Sequence, residues 1–282
     1  MKKFFLSTIL FFSLFLTGCC VTGSEKTVNQ SRVIKQFDNI VVDIDANIFL
    51  QEAENHKVQI TAEENIISLV NSKIKNDTLI LNLKKSCVKN TKPIDIIISF
   101  PKINQIVLNK GQIKTNKRIL SSDLDLEINT TGKVDLELAT EKLSAKINEN
   151  SEVWLTGWSN ESKLDINADV NLQAYNLFTQ KTDITFDGKG DAKIFVTENL
   201  NANLNGDVNI FFKGEPKKIN ENISGSGNLK NMEDSNFDDS FVLDFCKNVA
   251  TLKKEEDSDK NICVLSKTIE CDPWLFFRAK CQ

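Results

Sequence analysis

The 282-residue sequence is short of histidine, tyrosine and methionine, with one, one and two copies. The only histidine, His56, lies in the polar stretch EAENHKVQ and is expected to be a solvated turn residue. That leaves little for a histidine-assisted nucleophile or a histidine-bearing zinc site. None of the seven cysteines forms a Cys-x-x-Cys pair, and no P-loop occurs. No metal, no cofactor and no catalytic residue is therefore expected. Lysine and arginine (35) are interspersed with aspartate and glutamate (39) through most of the chain, for a formal charge of −4. With no basic patch, nucleic acid is excluded as a partner. After Leu16 no apolar run approaches the roughly 18 residues that cross a bilayer as a helix. Proline is absent between Pro101 and Pro216, and glycine between Gly23 and Gly111 and after Gly227.

The beginning of the chain does not read as part of a fold. Met1-Lys2-Lys3 precedes an almost wholly apolar stretch from Phe4 to Leu16, the length of a signal-peptide core. Leu16-Thr17-Gly18-Cys19 then resembles the bacterial lipobox. That resemblance implies cleavage before Cys19 and acylation of Cys19, so that lipid is the membrane anchor. Cys20 in place of aspartate after it points to the outer membrane. Residues 1–18 are the expected signal peptide and 19–31 the expected linker.

From about residue 32 to 104 the sequence reads as strands. VQITA and TLILNLK alternate with period two, and IDIIISFP is a more continuous apolar run. Between them NIISLVNSKI carries apolar residues at helical intervals, compatible with a short helix.

A repeated phrase follows. VLNKGQI begins at Val107, INTTGKV at Ile128, INENSEV at Ile147, INADVNL at Ile166, FDGKGDA at Phe186 and ISGSGNL at Ile223. LNGDV at Leu204 reads as a copy shortened by two residues, giving seven copies at a period near 19. Each copy places a polar turn between two apolar residues, and the second opens an alternating run such as VDLEL or VNIFF. The unit is too short for paired helices, so it reads as one rung of a β-solenoid. Seven rungs at about 4.8 Å bury a continuous core roughly 30 Å long. Gly132, Gly190 and Gly227 are expected to supply positive φ at a corner, a place where Ser151 and Val170 fit poorly. Asn129, Asn148, Asn167 and Asn205, with Asp187, are expected to form a ladder along the stack.

The last zone, 231–282, is acidic and cysteine-rich. Cys246, Cys263, Cys271 and Cys281 are candidates for two disulfides in any of three connectivities. With Trp274, Phe276 and Phe277 the segment reads as a small stapled tail or cap.

Along the alternating runs, the second outward position reads Glu137, Thr156, Tyr175, Phe195, Phe211, with Trp154 nearby. Trp154, Tyr175, Phe195 and Phe211 are thus a candidate binding face for a protein or a glycan. The alternative is that the aromatic tail covers it. Asp169, Asp187 and Asp191, on neighbouring corners, are the acids a β-helix carbohydrate-active enzyme would use. The single Gly-Lys-Gly-Asp resembles one copy of a calcium-binding repeat loop, whose sites need adjacent copies.

Taken as a set, FDNIVVDIDANIFLQ, VQITAEENI, TLILNLK and the recurring phrase ending in ISGSGNL resemble the bacterial family of auto-transporter adhesin head GIN domains, over about 37 to 229. The resemblance implies a right-handed β-helix-like domain on an exported, often lipid-anchored protein. The expected architecture is all-β: a solenoid of about seven short rungs over 32–230, with an N-terminal β-rich part and the small cysteine-rich tail. The expected function is non-catalytic: a cell-envelope lipoprotein presenting its surface for adhesion. An enzyme on a β-helix and an envelope-stress or signalling sensor are the alternatives.

Overall fold

The computed structural model describes residues 20–85 and 87–232. Its N-terminal half is built from β1 (Val21–Thr22), β2 (Thr27–Val33), β3 (Asn39–Asp43), β4 (Asn47–Glu52), β5 (Lys57–Glu63), α1 (Glu64–Ile67), β6 (Val70–Lys75), β7 (Thr78–Leu83), β8 (Val88–Lys89) and β9 (Asp95–Phe100). The repeats follow as β10 (Gln105–Leu108), β11 (Gln112–Thr115), β12 (Ile119–Ile128), β13 (Val134–Ile147), β14 (Glu152–Ile166), β15 (Val170–Phe186), β16 (Lys189–Leu204), β17 (Asp207–Lys213), β18 (Lys218–Ile223) and β19 (Asn228–Asn231).

The protein is a β-solenoid of about seven turns. Strands from successive rungs pair in parallel, each residue lying over one about 19 positions later; Ile128, for instance, opposes Ile147, and Ile147 opposes Ile166. This continuous interior row runs Val42, Leu108, Ile128, Ile147, Ile166, Phe186, Leu204. All seven are buried. A second row, from Ile48 and Ile113 through Val134, Val153, Leu172 and Ala192 to Ile210, follows it across the corner of each rung and is equally buried. Burying one such aliphatic side chain stabilises the fold by roughly 1.5–3 kcal/mol, so the strength of the stack lies in repetition.

The observed register refines the repeat. Val107 lies over Glu127 and Leu108 over Ile128, so the first copy starts at Leu108 and is one residue short. Leu204 aligns with Phe186 and Ile210 with Ala192, so LNGDVNI is a full seven-residue copy.

Glycine at the corners answers to close approach as well as to φ. Gly190 has φ +121°, but Gly132 and Gly227 are not in the left-handed region. A Cβ on Gly132 would lie 2.0 Å from the Gly111 carbonyl oxygen of the rung beneath. Gly188, Gly206 and Gly225 repeat this, each later glycine set 1.9 to 2.0 Å, in Cβ terms, from the carbonyl oxygen of the one before. Val170 sits in a strand opposite Gly190, so the positive φ foreseen there is not required of it.

The N-terminal part differs most from expectation. Residues 19–31 were read as a linker, yet β1 pairs with β8, and β2 pairs antiparallel with β5 along its whole length. The stretch NIISLVNSKI forms one helical turn, α1, and then the strand β6. β6 returns antiparallel on β7 through Asn76 and Asp77, both at positive φ, as a two-residue hairpin demands. A disulfide joins Cys20 to Cys87, a pairing the sequence did not select. Cys246, Cys263, Cys271 and Cys281 lie outside the described residues, as do Cys19 and the Trp274–Phe277 cluster.

Candidate functional site

Corner side chains hold the rungs in register. Asn129 donates to Asn109 Oδ1 at 3.0 Å, Asn148 to Asn129 at 2.7 Å and Asn167 to Asn148 at 3.1 Å. The foreseen ladder is therefore present over these positions and satisfies its own amides, which makes it a structural element. On another corner Thr140 and Ser159 donate to the carbonyls of Lys142 and Glu161, two residues on, while Thr179 donates to the Phe195 carbonyl of the next rung.

The four aromatic residues proposed as one face do not form one row. Strands β14 and β15 change register between Trp154 and Gly157, and β15 and β16 between Ala174 and Phe178. Gly157, at φ +106°, makes the first bend. Tyr175 falls in the irregular stretch, with Lys213 Nζ 4.8 Å from its ring centre. Phe195 lies over Phe178, edge to face at 4.8 Å, with Trp158 on the rung below Phe178. Phe211 lies over Lys193, away from Phe195. Strict period-two alternation past Val153 overlooks the bulges, and with them Trp158 and Phe178.

The register assembles another row on this wall: Phe49, Lys114, Asp135, Trp154, Gln173, Lys193, Phe211, Lys230. Aromatic rings recur at every third place along it, with two charged or amide groups between them. Lys114 Nζ lies 5.0 Å from the Phe49 ring centre and Lys133 Nζ 3.9 Å from that of Trp154. A groove of about 360 Å³ runs along its first rungs, lined by Asn47, Phe49, Gln112, Lys114, Lys133 and Asp135. Phe49 lines it, and Trp154 stands one strand beyond Asp135, three strand spacings or roughly 14 Å from Phe49. Apolar platforms with a few placed polar groups are what ligand sites are made of.

A second groove, about 470 Å³, lies along the strand segments that lead into the Asn corner. There Asp123, Lys142, Glu161, Lys181 and Asn199 occupy consecutive rungs. Lys181 Nζ meets Glu161 Oε1 at 2.8 Å; the hydrogen bond and charge of that contact lower the Glu161 pKa and raise that of Lys181. These neighbours neutralise one another and offer no aromatic platform.

Other acids do not converge. Asp169 N–H donates to Asn150 Oδ1 at 3.2 Å, Asp191 opposes Asn171 and accepts from Asn209 at 3.0 Å, and Asp187 N–H donates to the Ile166 carbonyl. They occupy three different rows. His56 is not solvated as foreseen: it is partly buried, its ring 4.7 Å from that of Phe37 and its Nε2 2.9 Å from the Phe37 carbonyl oxygen. Among the described residues no three His, Cys, Asp or Glu side chains converge as metal ligands.

Short parallel rungs stacked in register define a β-solenoid repeat domain. The chain belongs to the family "Putative auto-transporter adhesin, head GIN domain", whose model matches residues 36–216. Among solved structures it is similar to a "putative adhesin" of Bacteroides fragilis, with 27% identity, a TM-score of 0.72, and 75% of this chain and 100% of that one covered. A second "putative adhesin", from Parabacteroides merdae, shares the fold at 20% identity and TM-score 0.60, covering 76% of this chain and 99% of its own. A "putative lipid binding protein" of Parabacteroides distasonis shares it at 15% identity and TM-score 0.60, over 76% of this chain and 100% of that one. Family and adhesin neighbours alike carry adhesion names and no enzyme name. No curated protein matches the sequence.

Proposed function

We propose that this protein is an exported, lipid-anchored, non-catalytic adhesin-like module that holds a glycan along the Phe49–Trp154 groove. The observation that carries this reading is the row Phe49, Lys114, Asp135, Trp154 on one wall of a rigid stack. Two half-buried rings, each with a lysine ammonium over one face, give apolar surface for sugar rings beside charged donors. Lys114, Asp135 and Gln112 between them supply donors and acceptors for hydroxyl groups. The names of the family and of the Bacteroides fragilis neighbour support adhesion. A disulfide belongs to an oxidising compartment, which supports export. Engagement of Cys20 with Cys87 leaves Cys19 as the residue to acylate, on the lipobox reading.

The test is a screen of bacterial and host glycans for both retention and cleavage, with the wild-type chain and Trp154→Ala and Phe49→Ala variants. Retention of a glycan without product, weakened roughly tenfold by either variant, is expected. Release of shortened sugars would replace this reading with an enzyme, and retention unchanged in both variants would move the site elsewhere.

A further inference from the structure

We propose that the loop carrying Lys84, Lys85, Lys89 and Lys92 is a membrane-contacting surface that rests on anionic phospholipid headgroups. The proposal builds on the lipid-anchor reading above, and three observations carry it.

Between Leu83 and Asp95 the sequence holds these four lysines and no acidic residue. All four are exposed. Lys84 Nζ donates to the Ser68 carbonyl at 2.6 Å and keeps its charge at the surface.

The structure also fixes this loop to the start of the described chain. Cys87 is bonded to Cys20, Val21 N–H donates to the Cys87 carbonyl at 3.1 Å, and Gly23 N–H donates to the Lys89 carbonyl at 2.8 Å. β1 and β8 pair beside that bond. An acyl chain on Cys19 would lie one peptide, about 3.8 Å between Cα atoms, from the cysteine that holds the lysines.

Of the nearby acids, Glu25 and Asp45 face solvent, Asp45 beside Asn90 and Pro93, and the others are occupied. Glu63 is buried and accepts from Thr91 Oγ1 and Thr91 N–H at 2.7 and 2.8 Å, and Glu64 pairs with Lys26 at 3.0 Å. Glu25 N–H also donates to Glu63, at 2.7 Å, and its own carboxylate faces solvent.

One peptide between the lipid-bearing residue and the disulfide that holds the loop keeps the lysines near the bilayer. Lysines at a leaflet surface are drawn to anionic lipid and screened by salt. A basic cluster beside an acyl chain is a two-part anchor.

The full chain, produced in a host that exports and acylates it, is reconstituted into vesicles of phosphatidylcholine alone or mixed equally with phosphatidylglycerol. Each lysine is then acetylated with a water-soluble reagent and followed by mass spectrometry. Acetylation of Lys84, Lys85, Lys89 and Lys92 should slow about fivefold on the phosphatidylglycerol vesicles and recover at high salt. Lys217, Lys218 and Lys230, in the last rungs, should react alike on both. Equal rates at both ends of the solenoid on both vesicles would overturn the proposal. The mass of the N-terminal peptide reports acylation separately. Should Cys19 carry no lipid, the anchor reading falls, and co-sedimentation of the chain with phosphatidylglycerol vesicles decides the loop: salt-sensitive binding supports it, and no binding overturns it.

Discussion

Glu63 closes the N-terminal segment onto the solenoid. Its carboxylate accepts from the Thr91 hydroxyl, from Thr91 N–H and from Glu25 N–H, and a Cβ on Gly23 would collide with it at 2.1 Å. The Thr91 side-chain bond is the largest cause of a pKa below the ordinary glutamate value; desolvation opposes it, and the backbone bonds add to it. Because the folded pKa is the lower one, the latch contributes stability above the unfolded pKa and loses it as pH falls through the folded pKa. Amide-exchange protection at Glu25 and Thr91 should therefore drop in mild acid before the rungs open. Glu63→Gln should flatten that pH dependence and lower protection at neutral pH; an unchanged profile would remove Glu63 from the latch. Nothing in the letters around Glu63 announces this role, since its partners lie 28 and 38 residues away in sequence.

At the scale of the element, each rung gives one residue to each interior row. Ile147→Ala leaves a cavity between Ile128 and Ile166, and should cost about 2–5 kcal/mol in denaturant unfolding. A loss under 1 kcal/mol would show that neighbouring rungs collapse onto the gap. These rows were legible in the sequence because an interior position can only be apolar, and the period repeats it. The outer rows were not. A bulge shifts the residues beyond it, inward and outward alike, which brought Phe178 under Phe195, whereas Phe211 fell out of line with Phe195 because LNGDVNI is a full copy whose Ile210, not Val208, lies over Ala192. β2 escaped detection for a related reason. As an edge strand over β5 it places only Val28 and Arg32 in partly buried positions, so TVNQSRV shows no strong alternation. Arg32 is held there by donating to the carbonyls of Val70 and Ile67 at 2.8 and 3.0 Å, contacts that no local pattern encodes.

For the whole molecule, the regular offset means that contacts pass from rung to rung. Residues 148–166 form one complete offset, and Asn148 and Asn167 occupy the same ladder position. A chain with 148–166 excised should join Ile147 to Asn167 in register and fold with a solenoid shorter by about 4.8 Å. Small-angle scattering and circular dichroism would check this; loss of β structure would show that this rung is indispensable to the stack. The excision lies beyond the Phe49–Asp135 part of the groove but removes Trp154, so glycan retention should fall while the fold persists. The repeat and its all-β class were visible in the letters. The groove was not, because it joins Phe49 to residues 65 to 105 positions later through a register that only coordinates reveal.

The Cys20–Cys87 bond also decides how the molecule bears load. Were a captured ligand to tug against the anchor, tension arriving at the N-terminus would bypass the peelable β2–β5 pairing. It would enter through sulfur at a point 67 residues further along, spreading the pull between two places in the body of the rod.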